Sequence, residues 1–238
     1  MDDRDPFSIP RFPSTARPLL GLTVLVVEDS RYASEAMRLL CMRSGARIRR
    51  ADCLRSARRH LQVYRPSVVI VDLGLPDGSG VDLIAELHGT TPRIELILGT
   101  SGDDTAGPAC LAAGADGLLT KPVLSLALFQ SEILKHLPAN RHPTGPRPLP
   151  DEEVHPDRIA YRDDMAHVAE VMGSGEDEAV LDYVAQFLGG VARSAGDRPL
   201  LAAAQSLSAA RASGGPLRAD IARLAGLVQE RLGARVAI

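Results

Sequence analysis

Residues 23–33 read TVLVVEDSRYA: a run of Val and Leu, then two adjacent carboxylates, Glu28 and Asp29, then the polar start of a helical pattern. An uninterrupted apolar run of this length suits a strand buried on both faces. Two like charges at its end repel, and each is harder to ionise unless a cation compensates. One reading is a helix cap, with Asp29 or Ser30 holding the first turn of the following helix. The other needs a cation and partners from elsewhere in the chain.

The same alternation recurs downstream. LTVLVV (22–27), ARIRRA (46–51), SVVIVD (67–72), IELILG (94–99) and GLLT (117–120) read as strands. Between them Ala33, Met37, Leu40 and Cys41 recur at helical spacing, as do Leu54, Ala57, Leu61 and Tyr64, and VDLIAELH and SLALFQSEILKHL are further helices. Five βα units of this kind predict an α/β fold with a doubly wound, five-stranded parallel sheet. The helix before the fifth strand is the weakest, because DDTAGPACLAAG carries Gly107 and Pro108 in its middle.

Composition narrows the class. At 45% hydrophobic and 24% charged, the 238 residues resemble an ordinary globular protein. Aromatics are only 3% and Trp is absent, so the core must be built from Ala, Val, Leu and Ile. A formal charge of −3 exerts no general pull on nucleic acid or anionic membrane. Lys121 and Lys135 are the only lysines, which singles out each of them. Cys41, Cys53 and Cys110 have no metal-binding or redox spacing and read as reduced thiols of a cytoplasmic protein. MDDRDPFSIPRFPSTARP has no apolar segment of the kind a signal peptide needs, and no run is long enough to span a bilayer.

Prolines divide the chain. Residues 1–20 are expected to be a disordered tail, 21–137 the α/β domain, and 138–156 a proline-rich linker that neither extends a helix nor packs. Residues 157–238 are expected to be all-α. Tyr161, Met165, Val168 and Met172 form one helical face, Val180, Val184, Phe187 and Val191 a second, Leu200, Ala203, Leu207 and Ala210 a third, and Leu217, Ile221, Leu224 and Val228 a fourth. Ser174 with Asp177, and the sequence GDRP, mark helix starts, so a smaller four-helix bundle follows.

Open parallel sheets bind ligands outside the carboxyl ends of their strands. Those ends carry Glu28-Asp29, Asp72, Thr100-Ser101 and Lys121-Pro122. Three acids in one crevice call for a hard divalent cation, and Mg²⁺ suits carboxylates plus water. Asp72 can then act as a nucleophile toward a phosphoryl group, with Lys121 neutralising and Thr100 hydrogen-bonding the transferred oxygens.

VVEDS, VIVDLGLPDGSG, LILGTSG and GADGLLTKP together resemble the receiver domain of two-component response regulators, a flavodoxin-like fold, over about 22–137. The resemblance implies that Asp72 is the phosphoacceptor and that Mg²⁺ is held by Glu28, Asp29, Asp72 and the carbonyl of Gly74. It makes Thr100 the switch hydroxyl, Lys121 the lysine before a cis-prone Pro122, and a sensor histidine kinase or phosphotransfer protein the partner. It implies a signalling protein rather than an enzyme. One departure is Leu118, where receivers commonly carry an aromatic; the segment 103–116 is therefore expected to switch by ordering instead.

Three outputs are open for the second domain. Residues 157–238 hold nine Arg, no Lys and eleven acidic residues, which argues against a DNA-binding helix and against nucleic acid as a partner, although AARASGGPLRADIARLAG has helix-turn-helix spacing. AAQSLSAARASGGPL (203–217) resembles a histidine-phosphotransfer motif with Gln205 in place of the histidine and Ser208 in place of the lysine. An amide cannot relay a phosphoryl group, and His167 reads as a helix-surface residue. A dimerising bundle that makes the chain a homodimer is the third. The expected function is a response regulator phosphorylated on Asp72 that signals through protein contacts of the bundle. The alternatives are a phospho-switched transcription regulator and a phosphate sink.

Overall fold

The chain is seen here as a computed structural model describing residues 13–103, 105–145, 148–174 and 177–234. Among the described residues, seven strands occur in chain order: β1 (Thr23–Val27), β2 (Arg47–Ala51), β3 (Val68–Asp72), the short pair β4 (Gly74–Leu75) and β5 (Gly78–Ser79), β6 (Leu96–Ser101) and β7 (Gly117–Thr120). Five form one parallel sheet in the order β2-β1-β3-β6-β7. The order reverses between β1 and β3, so the ligand crevice of a doubly wound sheet opens there. Glu28 and Asp29 follow one of these strands and Asp72 ends the other.

Both faces of the sheet are covered. Val24, Val26, Val68, Ile70, Leu96 and Leu98 pack against α1 (Arg31–Ser44) and α5 (Leu126–His136) through Met37, Leu40, Phe129 and Ile133. The alternate residues Leu25, Val27, Val69, Val71 and Ile97 pack against α2 (Leu54–Val63) and α3 (Gly80–His88) through Ala57, Leu83, Ile84 and Leu87. Successive strand residues point to opposite faces, and both faces are dry, which is why these runs are continuously apolar.

Three details differ from the sequence reading. The fourth sheet strand runs 96–101 rather than 94–99, because its parallel pairing with β3 continues to Asp72 opposite Thr100. Gly107 and Pro108 open α4 (Gly107–Ala112) rather than interrupting it, and the first turn is where a helix tolerates a residue without an N–H. The β4–β5 ribbon was not anticipated. Its turn carries Asp77, whose carboxylate accepts hydrogen bonds from Leu54 N at 2.8 Å and Arg55 N at 3.0 Å. It thereby caps α2, whose own N-cap residue, Cys53, makes no side-chain cap bond.

The prolines did not prevent packing. Val154, placed in the expected linker, is 3% exposed and belongs to the core beside α1 and α5. Leu126 N donates to Glu152 O at 2.9 Å and Val154 N to Leu124 O at 2.9 Å, so this segment pairs in extended form. Leu19, placed in the expected tail, is buried in the same core, while residues 1–12 of that tail fall outside the described residues.

The second half is helical, as expected: α6 (Arg158–Ser174), α7 (Glu178–Ala195), α8 (Arg198–Ser213) and α9 (Arg218–Gly233). They close a ring in which each packs on the next and α6 meets α9. The core holds Met165, Val168, Val184, Phe187, Leu200, Leu207, Leu224 and Val228 from the four expected faces. Asp197 caps α8 by accepting from Leu200 N at 3.1 Å. The Ser174–Asp177 capping box spans residues outside those described; Asp177 stands at the N-cap of α7 without a side-chain cap bond. Helices α6 and α7 lie against α1, which brings the bundle over the sheet's carboxyl edge.

Candidate functional site

Each strand delivers its expected residue to one crevice. Glu28 is 3% exposed and Asp72 7%. Lys121, just past β7, places Nζ 2.7 Å from Glu28 Oε2 and 2.7 Å from Asp72 Oδ2, and its peptide bond to Pro122 is cis. Gly74 N donates to Asp72 Oδ1 at 3.2 Å, because the β4 turn folds back over the end of β3. Thr100 stands beside Asp72 on the neighbouring strand, fully buried, and its hydroxyl has no hydrogen-bond partner among the described residues. Leu118 packs between Gly99 and Gly107.

Ser30 settles the cap question. Its hydroxyl accepts from Ala33 N at 3.0 Å and so holds the first turn of α1, which leaves Asp29 available to the crevice. Glu28, Asp29 and Asp72 each offer an oxygen, all within 4.8 Å of one another. Burial drives the Glu28 carboxyl well above its usual range, with Lys121 opposing and Asp72 and Asp29 reinforcing the rise. Burial, then the nearby Asp72, lifts Asp29 to about 7. Burial works against the Lys121 ammonium, but Asp72 and Glu28 outweigh it and hold the lysine above its ordinary range.

Such a set fits a divalent cation. An all-oxygen donor group with surplus negative charge suits a hard ion of the Mg²⁺ kind. Because Asp29 holds its proton to about 7, binding has to displace it. Mg²⁺ affinity is therefore expected to fall about tenfold from pH 8 to pH 6 through this group alone. Calorimetric titration at the two values checks this; equal affinities would mean that Asp29 is ionised throughout or takes no part.

The bundle supplies residues to the site that sequence reasoning missed. Asp164 on α6 accepts from Ser30 Oγ at 2.8 Å, Arg31 N at 2.6 Å and Tyr32 N at 3.0 Å. It satisfies amides at the start of α1 that no local side chain reaches. Burial raises its carboxyl to about 6, so it meets these donors as a carboxylate at neutral pH. Tyr183 on α7 donates its phenol to Asp29 Oδ2 at 3.0 Å. His167 Nε2 lies 3.1 Å from the same phenol oxygen. Gln186 packs over Gly74, and Arg193 donates to the carbonyl of Gly102. Asp164, Tyr183, Gln186 and Arg193 carry no local signal: each reads as an ordinary polar position on an amphipathic helix.

Sheet and bundle together enclose a crevice of about 680 Å³, lined on one side by Asp29, Asp72 and Lys121 and on the other by Gln186, Gln205 and Ser208. The two altered positions of the 203–217 motif thus face the acidic cluster.

Residues 24–131 match the response regulator receiver domain family. The chain is 30% identical over 126 residues to the KDP operon transcriptional regulatory protein KdpE of Escherichia coli (strain K12), covering 53% of this chain and 56% of that protein. It is 35% identical over 99 residues to the transcriptional regulatory protein KdpE of Mycobacterium tuberculosis (strain ATCC 25618 / H37Rv), covering 42% and 44%. The chain spans about half the length of the curated relatives it matches. Among solved structures, the chemotaxis response regulator CheY4 of Vibrio cholerae is 21% identical with a TM-score of 0.44, covering 49% of this chain and 98% of that one. Residues 24–131 therefore form a receiver domain, as the sequence motifs suggested. Two finer expectations find no support in the comparisons. One is the phosphotransfer-like character of 203–217; the other is the exclusion of nucleic acid, since these relatives are named as transcriptional regulators.

Proposed function

We propose that this chain is a response regulator that accepts a phosphoryl group on Asp72 and signals through its helical bundle. The observation that carries the reading is the single lysine shared between Glu28 and Asp72 at 2.7 Å to each, beside an unpartnered buried hydroxyl on Thr100. Asp72 is the carboxylate that attacks. Lys121 already touches its Oδ2, so it is placed to hold a phosphoryl oxygen there and to neutralise the charge that arrives. Thr100 turns its hydroxyl toward that group and gains the partner it lacks. Glu28, Asp29, Asp72 and the Gly74 carbonyl would hold Mg²⁺, which when bound offsets the clustered negative charge. The donor is a sensor histidine kinase or a phosphotransfer protein.

Phosphorylation adds about −1.5 to −2 charge at this spot. Tyr183, Gln186 and Arg193 sit over it, so the added group alters the contacts that dock α7, and the bundle carries the change to a partner protein. In this reading residues 21–137 are the receiver, 138–156 the connection, and 157–238 the output of a cytoplasmic protein. No helix among the described residues is long and apolar enough to cross a membrane. The names of the transcriptional relatives favour a second reading, in which the output meets DNA.

Incubation with ³²P-labelled acetyl phosphate and Mg²⁺ is expected to label the protein, and Asp72→Asn or removal of Mg²⁺ to abolish labelling. Undiminished label in Asp72→Asn would place the acceptor elsewhere. A shift of promoter DNA by the phosphorylated chain would promote the second reading.

A further inference from the structure

Charge is spread unevenly along the chain. Residues 47–65, which span β2 and α2, hold seven arginines against one acid, Asp52, a local charge of +6 in a chain that totals −3. All seven arginines are exposed. Strand β2 lies at the outer edge of the sheet beside β1, and α2 packs on it. Arg47 and Arg49 alternate with Ile48 and so share the strand face of Ala51, which packs among α2 residues Leu54 and Ala57. The charge of Arg49 reaches the Tyr64 phenol at the far end of α2. Arg55 and Arg59 stand one turn apart on that helix. Strand and helix therefore present one continuous basic face.

Three of the seven are already engaged. Arg58 pairs with Glu86 at 2.6 Å, Arg50 lies 3.7 Å from Glu35, and Arg65 donates to the carbonyl of Arg93. Arg47, Arg49, Arg55 and Arg59 have no ion-pair partner among the described residues, and none of them lines the acidic crevice. Charges on an edge strand also keep sheets from joining edge to edge, which accounts for β2 but not for two arginines on a helix. Solubility is served by charges of either sign, so it does not explain a face of one sign.

We propose that the β2–α2 face binds the phosphate backbone of duplex DNA without regard to its sequence. A protein partner would need an apolar centre depleted in charge. Among the described residues of 47–65 the one exposed large apolar side chain is Val63, at the end of α2. An anionic bilayer is held by bulky apolar side chains as well as by charge, and a single strand by exposed rings on which bases stack. Here His60 and Tyr64 are half-buried and meet each other edge to face. A duplex asks only for cations, since it carries one negative charge per about 1.7 Å of its axis. The slightly acidic bundle offers no comparable surface, and the total of −3 conceals this one.

The test titrates the full chain against a fluorescein-labelled duplex of about 24 base pairs and arbitrary sequence, read by anisotropy between about 50 and 200 mM KCl. Four phosphate contacts predict a slope of about −3.6 in log affinity against log salt, a loss of roughly 150-fold across that range. Changing Arg47, Arg49, Arg55 and Arg59 together to Gln should weaken binding roughly a hundredfold at the lower salt and flatten the slope. The same four changed to Lys should stay within about threefold of wild type, because an ammonium also neutralises a phosphate. Arg162, Arg198, Arg218 and Arg223, all exposed on the bundle, changed together to Gln alter the net charge equally and should leave binding intact. Absence of binding at the lower salt overturns the proposal, as does equal weakening in the two Gln variants or a Lys variant as weak as its Gln counterpart. Tighter binding to a single strand, or binding to phosphatidylserine vesicles in place of the duplex, overturns it too. None of these outcomes touches the reading of Asp72 as phosphoacceptor, which the labelling experiment decides separately.

Discussion

Lys121→Met should destabilise the protein by about 3–5 kcal/mol at pH 8, the range for removing one partner of a buried ion pair, and by clearly less at pH 5. Methionine keeps most of the aliphatic stem but removes the ammonium that lies 2.7 Å from both Glu28 and Asp72. The Lys121 side chain is 9% exposed and that of Glu28 1%, so water cannot replace the ammonium. The pH dependence follows from which state binds more protons. Burial already raises Glu28, and Lys121 is what holds that rise in check. In the variant the folded state keeps a proton that the unfolded chain gives up near pH 4, so stability falls as pH climbs above that value. Lysine's own raised pKa contributes nothing to the slope here, since it is charged in both states from pH 5 to pH 8. Urea melts of both proteins at the two pH values decide the matter, and Mg²⁺ should recover part of the loss by replacing the missing charge. An equal deficit at both values would mean that the carboxylates do not depend on Lys121 for their ionisation.

The second large effect is expected at Asp164, far from the acidic cluster in sequence. Asp164→Ala removes the acceptor for Ser30 Oγ, Arg31 N and Tyr32 N, and Asp164 is 1% exposed. Two amides at a helix start and a hydroxyl then lose a charged partner that is itself buried. The cost is about 2–4 kcal/mol, since hydrogen bonds to a charged group are worth about 1.5–3 kcal/mol each and only partly additive. Ser30 still caps Ala33 N, so α1 itself survives; what weakens is the seating of α6 on α1. Hydrogen exchange should therefore accelerate at Arg31 and Tyr32 and along α6, with little change in the sheet. Because α7 rides on the same bundle, the Tyr183–Asp29 contact should loosen as well. Unchanged exchange at Arg31 and Tyr32 would show that those amides are protected by something other than Asp164.

These two residues mark how far the sequence could be read. Lys121 was legible because the strand pattern placed it at a sheet edge beside Asp72 and Glu28, and the edge of a parallel sheet is where ligands bind. Even a two-residue error in β6 did not matter, since Thr100 remained near the strand's carboxyl end. Asp164 was not legible, nor were Tyr183, Gln186 and Arg193. Each is a polar residue on a helix whose apolar stripe had already been assigned to the bundle core, and such positions are normally solvated. The same holds for Asp77, whose place in a Pro-Asp-Gly turn concealed that it caps α2 across a gap of more than twenty residues.

Periodicity alone determined the two layers of helices on a parallel sheet, the bundle that follows, and the convergence of Glu28, Asp29, Asp72, Thr100 and Lys121. These depend on local spacing: a strand alternates every two residues and a helix turns every 3.6, so burial leaves its mark in the chain itself. Only the tertiary structure decided that the bundle docks over the acidic crevice, that Asp164 completes the start of α1, and that α7 fills the space above Gly74 and Gly102. Those contacts join residues 91 to 154 positions apart. A missing side chain at a glycine or an unsatisfied amide at a helix start shows that something is needed there, but not which distant residue will supply it.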